Sequence, residues 1–201
     1  MWLDIIIIFL LILLNGFFAL SEIAIVSARK NKLETERKRG SKGAQRALSL
    51  RAEPDNFLSS VQVGITLIGI INGAYGGQAF AVYLAPFFEQ FPATAPFAEA
   101  IAMVLVVFLI TYLSIVVGEL VPKTMALNKP EKLAIAVAPA IHLVSIIFYP
   151  FVKLLSLSTS LINRLLGIGP RNEVVSEMEL RAMLKTASRE GVIDATSRSE
   201  E

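Results

Sequence analysis

Ile115-Val116-Val117-Gly118-Glu119-Leu120-Val121-Pro122-Lys123 sets a carboxylate and a proline at the end of a long apolar run. Proline has no N–H, so Pro122 cannot donate to the carbonyl four residues back, that of Gly118, and its ring pushes that oxygen off the helix. The stretch therefore predicts a bare backbone oxygen beside the Glu119 carboxylate. Hard oxygen donors of this kind are what Mg²⁺ or Na⁺ selects. In a bilayer, irregular backbone is tolerated only inside protein or along a cavity, and an ionisable residue there marks a functional site.

The rest of the chain fits a membrane setting. Apolar residues make up 54% of the 201 and charged residues 18%, against roughly 25% charged in soluble domains. Mean hydropathy is +0.62. The lack of cysteine excludes disulfides, thiolate metal sites and cysteine nucleophiles, and the single histidine, His142, leaves no histidine-rich zinc site. Three runs, at about 2–28, 57–84 and 97–118, are long enough to cross a hydrocarbon core of roughly 30 Å, which takes about 20 helical residues. The first has no basic leader and carries Glu22 in its second half, so it reads as a retained anchor and not as a cleaved signal peptide.

Charge placement sets the orientation. Between the first two runs lie Arg29, Lys30, Lys32, Arg37, Lys38, Arg39, Lys42, Arg46 and Arg51, against Glu34, Glu36 and Glu53. The positive-inside rule assigns this segment to the cytoplasm. Residues 77–96 hold no lysine or arginine and are expected outside. The N-terminus is then external, and Lys123, Lys129 and Lys132 lie inside. Orientation alone explains the basic segment, so no nucleic-acid role is expected.

A fourth apolar run, 133–152, contains Pro139 and Pro150, and a further stretch, 154–166, comes after Lys153. A fourth crossing would place the hydrophilic C-terminal segment outside. The two prolines favour a bent or re-entrant pair of juxtamembrane helices over about 131–166 instead of a simple fourth span. Beyond it, Ser176-Glu177-Met178-Glu179 is a capping box, with Leu180, Met183, Leu184 and Ala187 as an apolar stripe and Gly191 as a stop. That stripe needs a covering partner, which is expected beyond residue 201. The expected fold is an all-α membrane protein. It has three transmembrane helices plus bent juxtamembrane helices in a domain over 1–170, and a C-terminal cytosolic helix opening a linker at 171–201.

Several polar residues fall inside the spans. The first holds Asn15, Ser21, Glu22 and Ser27. A serine there either bonds the carbonyl four residues back or serves a site. An unpaired Glu22 would be costly, so it should face a cavity, a cation or a basic partner such as Lys123. The second holds Gln62, Thr66 and Asn72, with Gly69, Gly73 and Gly77 at four-residue spacing, which predicts a close-packing helix face. Close backbones would let Thr66 and Asn72 converge with Ser21 and Glu119. Asn72 then supplies either an oxygen ligand or an interhelical hydrogen bond.

Three stretches carry a family resemblance: Asn15-Gly16-Phe17-Phe18-Ala19-Leu20-Ser21-Glu22, Ser60-Val61-Gln62-Val63-Gly64-Ile65-Thr66 leading to Asn72-Gly73, and Gly118-Glu119-Leu120-Val121-Pro122-Lys123. Together they resemble the transmembrane domain of the CNNM/CorC magnesium transporters over nearly the whole chain. The resemblance implies a homodimer in the plasma (inner) membrane whose protomers each hold Mg²⁺ between three spans. It implies Mg²⁺ export coupled to Na⁺ entry, and cytosolic CBS domains beyond this chain that bind ATP. Carried over by motif, Ser21, Asn72, Gly118 and Glu119 are the implied ligands, with Ser27 and Thr66 as further candidates.

Mg²⁺ demands near-octahedral oxygens at about 2.0–2.1 Å and sheds water reluctantly. A site of hydroxyls, an amide, a carbonyl and one carboxylate carries little net charge, which suits binding and then release in an alternating-access cycle. The alternative is a regulatory membrane subunit that senses Mg²⁺ without transporting it. An enzyme is not expected, because no Ser/His pair with workable spacing and no His-x-Glu metal signature is present.

Overall fold

The computed structural model describes residues 2–167. The chain divides into two compact units, Met1–Leu157 and Ser158–Glu201. Of the second unit only residues 158–167 are described, and the expected helix around 176–193 and the linker at 171–201 lie outside the described residues.

Among the described residues every regular element is helical. Helix α1, Trp2–Ser27, buries Ile8, Ile12, Asn15, Phe18, Ser21 and Ile25, a set spaced by three and four residues that forms one stripe. Trp2, Leu3, Ile6, Phe9 and Leu10 are exposed on other sides, as befits a helix surrounded by lipid. The last carbonyls of α1 are satisfied by Arg51, whose Nη1 donates to Ile25 O at 3.0 Å, to Val26 O at 2.8 Å and to the Ala28 carbonyl. This side chain does for the helix end what a capping motif would do. Arg51→Met is expected to cost about 1–2 kcal/mol, the value of part-exposed charge-assisted bonds, read as a lower thermal midpoint that Arg51→Lys partly restores.

Helices α2, Lys30–Lys38, and α3, Lys42–Ala52, form a basic hairpin. Gly40 makes its turn at φ 90°, a conformation that glycine adopts freely. Ser41 caps α3, its hydroxyl oxygen accepting from the Ala44 N–H at 3.2 Å. Leu33, Ala44, Ala47 and Leu50 point inward.

Helix α4, Pro54–Glu89, starts with proline in its first turn, where no intrahelical N–H is needed. A 3₁₀ turn, Ala95–Phe97, then leads into α5, Ala98–Ile115. A π-helical turn, Val116–Leu120, joins α5 to α6, Val121–Asn128. The last helix is α7, Pro130–Leu165. A core of Phe18, Ile25, Leu33, Phe57, Val61 and Ile141 lies toward the basic hairpin. A second cluster of Ile8, Ile12, Val106 and Ile110 joins α1 to α5, with Tyr75 and Phe80 of α4 packed on it.

The all-α membrane class holds, but the division into elements departs from expectation. Four helical stretches, Trp2–Ser27, Pro54–Glu89, Ala95–Asn128 and Pro130–Leu165, are long and apolar enough to cross a membrane. The bent or re-entrant pair expected over 131–166 is one continuous helix with Pro139 and Pro150 inside it. Each proline removes a single hydrogen bond, while an apolar surrounding makes every other bond of the ladder costly to lose, so the helix runs on. Pro139 frees the carbonyl of Ile135, and Gly43 of α3 packs against that carbonyl so closely that a Cβ would lie 2.2 Å from it. The glycine face of α4 is likewise only partly a packing face. A Cβ on Gly77 would come within 2.9 Å of Val107, but at Gly69 and Gly73 it would meet nothing within 4 Å.

Candidate cation-binding site

The break at Pro122 takes the form of the π turn. Deprived of the bond from residue 122 to residue 118, the ladder slips by one residue, and the N–H of Val121 donates to Val116 O five positions back. Gly118 faces α1, where a Cβ on it would lie 3.0 Å from Ile12 O and 3.3 Å from Asn15 Nδ2. The two backbones meet because Gly16 and Gly118 both lack that carbon. The Gly118 carbonyl is not bare, as the sequence predicted: Asn15 Nδ2 donates to it at 3.1 Å. One lone pair of that oxygen is left over.

Behind this contact lies a cavity of about 150 Å³, ample against the roughly 10–15 Å³ that one water needs. Its polar lining comes from Asn15 on α1, Asn72 on α4, Thr111 and Ser114 on α5, and Glu119 on the π turn. Asn72 Nδ2 donates to Ser114 Oγ at 2.7 Å. With their amide nitrogens engaged, Asn15 and Asn72 each keep a buried Oδ1 that accepts no hydrogen bond. Buried acceptors are satisfied in the great majority of cases, and both of these exceptions belong to residues that line one small cavity. On the side away from the basic hairpin, Ile110 belongs both to the cavity wall and to the cluster with Ile8, Ile12 and Val106. There Tyr75 donates its hydroxyl to Asp4 Oδ1 at 2.8 Å, fixing α4 to the start of α1.

Glu119 also pairs with Lys123, whose Nζ lies 2.7 Å from Oε1, and the same ammonium lies 3.7 Å from Glu22 Oε2. Glu22 thus has the basic partner that its depth required. Of the residues singled out in the sequence, Asn72 and Glu119 line the cavity and Gly118 is bonded to the lining residue Asn15. Ser21 is fully buried and donates to Phe17 O at 2.6 Å, the local bond of a serine within a helix. Neither it nor Ser27, near the end of α1, lines the cavity. Thr66 opens instead onto a separate groove of about 660 Å³ beside Gln62 and Phe148. Asn15, Thr111 and Ser114 are additions to the expected set. Their signal was the Thr111/Ser114 pair at a three-residue spacing in a mostly apolar helix, together with an asparagine beside Gly16. Among the described residues no three of His, Cys, Asp or Glu gather, so the donors on offer are amide, hydroxyl and carbonyl oxygens around one carboxylate.

The sequence matches the Cyclin M transmembrane N-terminal domain, CNNM, over residues 5–197. This chain belongs to the CNNM family. It is 50% identical over 193 residues to UPF0053 protein sll0260 of Synechocystis, covering 96% of this chain and 43% of the relative. It is 36% identical over 194 residues to UPF0053 protein YhdT of Bacillus subtilis, covering 95% and 42%. Over 187 residues it is 28% identical to a protein of Haemophilus influenzae named polyamine export protein, covering 91% and 42%. The CNNM-family chain therefore spans less than half the length of these relatives, and it is a multi-pass membrane protein by its helices and its family.

Proposed function

We propose that this chain is the membrane domain of a Mg²⁺ exporter in the plasma (inner) membrane, working by alternating access with Na⁺ entry as the driving reaction. The observation that carries the reading is one cavity lined by Glu119 and by Asn15 and Asn72, each of which keeps an unpartnered amide oxygen. Neutral oxygens around a single carboxylate suit a hard divalent cation that keeps part of its water shell. They also hold it weakly enough to let it go. The basic hairpin faces the cytoplasm in this reading, and the cluster around Ile110 separates the cavity from the external side. We assign the rest of the full-length protein to cytosolic CBS domains that bind ATP, and the working unit to a homodimer.

Asn72→Ala is expected to weaken Mg²⁺ binding about tenfold, at the lower end of what loss of a metal-site partner costs, with the fold kept. Calorimetry on the detergent-solubilised chain reads this directly. Coupling is tested in proteoliposomes: Mg²⁺ flux should rise with an opposing Na⁺ gradient, and equal flux without it would remove Na⁺ from the scheme.

Two observations favour a second reading, export of a polyamine. One is the name borne by the Haemophilus relative, and the other is that Glu119 already receives an ammonium, that of Lys123. Spermidine uptake that saturates, and that Mg²⁺ does not compete away, would favour it over the first.

A further inference from the structure

Resting on the Mg²⁺ reading, we propose that Lys123 is a tethered counter-cation that holds Glu119 when the cavity is empty and withdraws to Glu22 when a divalent cation arrives. Its Nζ is 2.7 Å from Glu119 Oε1 and 3.7 Å from Glu22 Oε2. Both carboxylates are thus within ion-pairing reach of one ammonium, and the nearer belongs to the residue that lines the cavity. Lys123 itself does not line it. A lysine ammonium is a compact charge on a flexible four-carbon stem, so passing from one carboxylate to the other takes rotation about side-chain bonds and no backbone shift.

The charges explain why such a device belongs here. Two carboxylates at membrane depth repel each other and are costly without a cation between them. Lys123 supplies that cation permanently, so the empty site carries one net negative charge and is never left as a bare pair. An incoming Mg²⁺ that takes Glu119 would meet Lys123 as a like charge. Glu22 offers the displaced ammonium a second partner, and the ion pair is exchanged instead of broken. Release runs in reverse, with Lys123 returning to Glu119 as the metal departs. Lys123 is then a positioning residue that tunes affinity through Glu119 without touching the transported ion.

Glu22 should therefore govern Mg²⁺ affinity although it stands off the cavity, and only through Lys123. The test is a double-mutant cycle read by Mg²⁺ calorimetry on the whole chain in nanodiscs. Lys123→Met, which removes the competitor, is expected to tighten Mg²⁺ binding about tenfold, and Lys123→Arg, which keeps the charge, should stay within about threefold of the original. Glu22→Gln, which removes the second berth, should weaken binding about tenfold in the original chain and leave it unchanged in the Lys123→Met background. If Glu22→Gln weakens binding equally in both backgrounds, Glu22 ligates the ion directly and the inference fails. It also fails if Lys123→Met weakens binding while its thermal midpoint is unchanged. Where Lys123→Met does not fold, Lys123→Gln takes its place in the cycle. Lack of Mg²⁺ binding by the unsubstituted chain would overturn the Mg²⁺ reading itself and this inference with it, a result distinct from either failure of the cycle.

Discussion

Replacing Glu119 by glutamine is expected to reduce Mg²⁺ affinity at least 100-fold, a loss of about 2.8 kcal/mol or more at 1.4 kcal/mol per decade. The change is isosteric and the residue is part-exposed on the π turn, so the fold should persist with its thermal midpoint nearly unchanged. What vanishes is the one negative charge lining the cavity, leaving amide and hydroxyl oxygens beside a lysine ammonium. Neutral oxygens alone hold a doubly charged, strongly hydrated ion poorly. Glu119→Asp keeps the charge on a shorter stem and should fall between the two. Calorimetry with Ca²⁺ and Na⁺ as competitors measures all three, and undiminished binding by Glu119→Gln would place the ligands elsewhere.

The second large effect is structural. Gly43→Val is expected to destabilise the chain by roughly 3 kcal/mol, the upper part of the range for overpacking a filled site. Already at the first added carbon the contacts are 2.2 Å to Ile135 O and 2.9 Å to Ile135 Cγ2. The nearest atom is backbone in the second turn of α7 and cannot swing aside. Valine adds two more methyl groups to the same place. The thermal midpoint should fall by roughly 6–12 °C, at 2–4 °C per kcal/mol for a chain of this size. Gly69→Ala is the control, because a Cβ there meets nothing within 4 Å and alanine favours the helix by about 1 kcal/mol.

Local rules reached the right place at Pro122 and went too far at Pro139 and Pro150. All three prolines remove one helical bond, and the sequence announces each removal. The structural outcome is set by the neighbours packed at each site. At Pro122 the ladder slips into a π turn, at Pro139 a glycine of another helix covers the freed carbonyl, and in both cases the helix continues. The Gly118 oxygen was legible as an oxygen that the helix gives up. That Asn15 takes it was not, because the bond joins residues 103 positions apart. Thr66 was misplaced for a different reason. Residues 66 and 72 stand six apart, about 120° around a helix, so the turn that carries Asn72 to the cavity carries Thr66 to the outer groove. Lys123 as the partner of Glu22 could be foreseen, since a carboxylate at that depth needs a cation and Lys123 is the nearest basic residue to the π turn.

The most direct test of the central claim is anomalous scattering from Mn²⁺, which shares the oxygen-ligand preference and octahedral geometry of Mg²⁺, in crystals of this chain. The account predicts one strong peak per protomer in the cavity, within bonding distance of a Glu119 carboxylate oxygen and of Asn72 Oδ1, reduced when Mg²⁺ is present in excess. A cavity without a peak, with Mn²⁺ bound elsewhere in the chain, would contradict it.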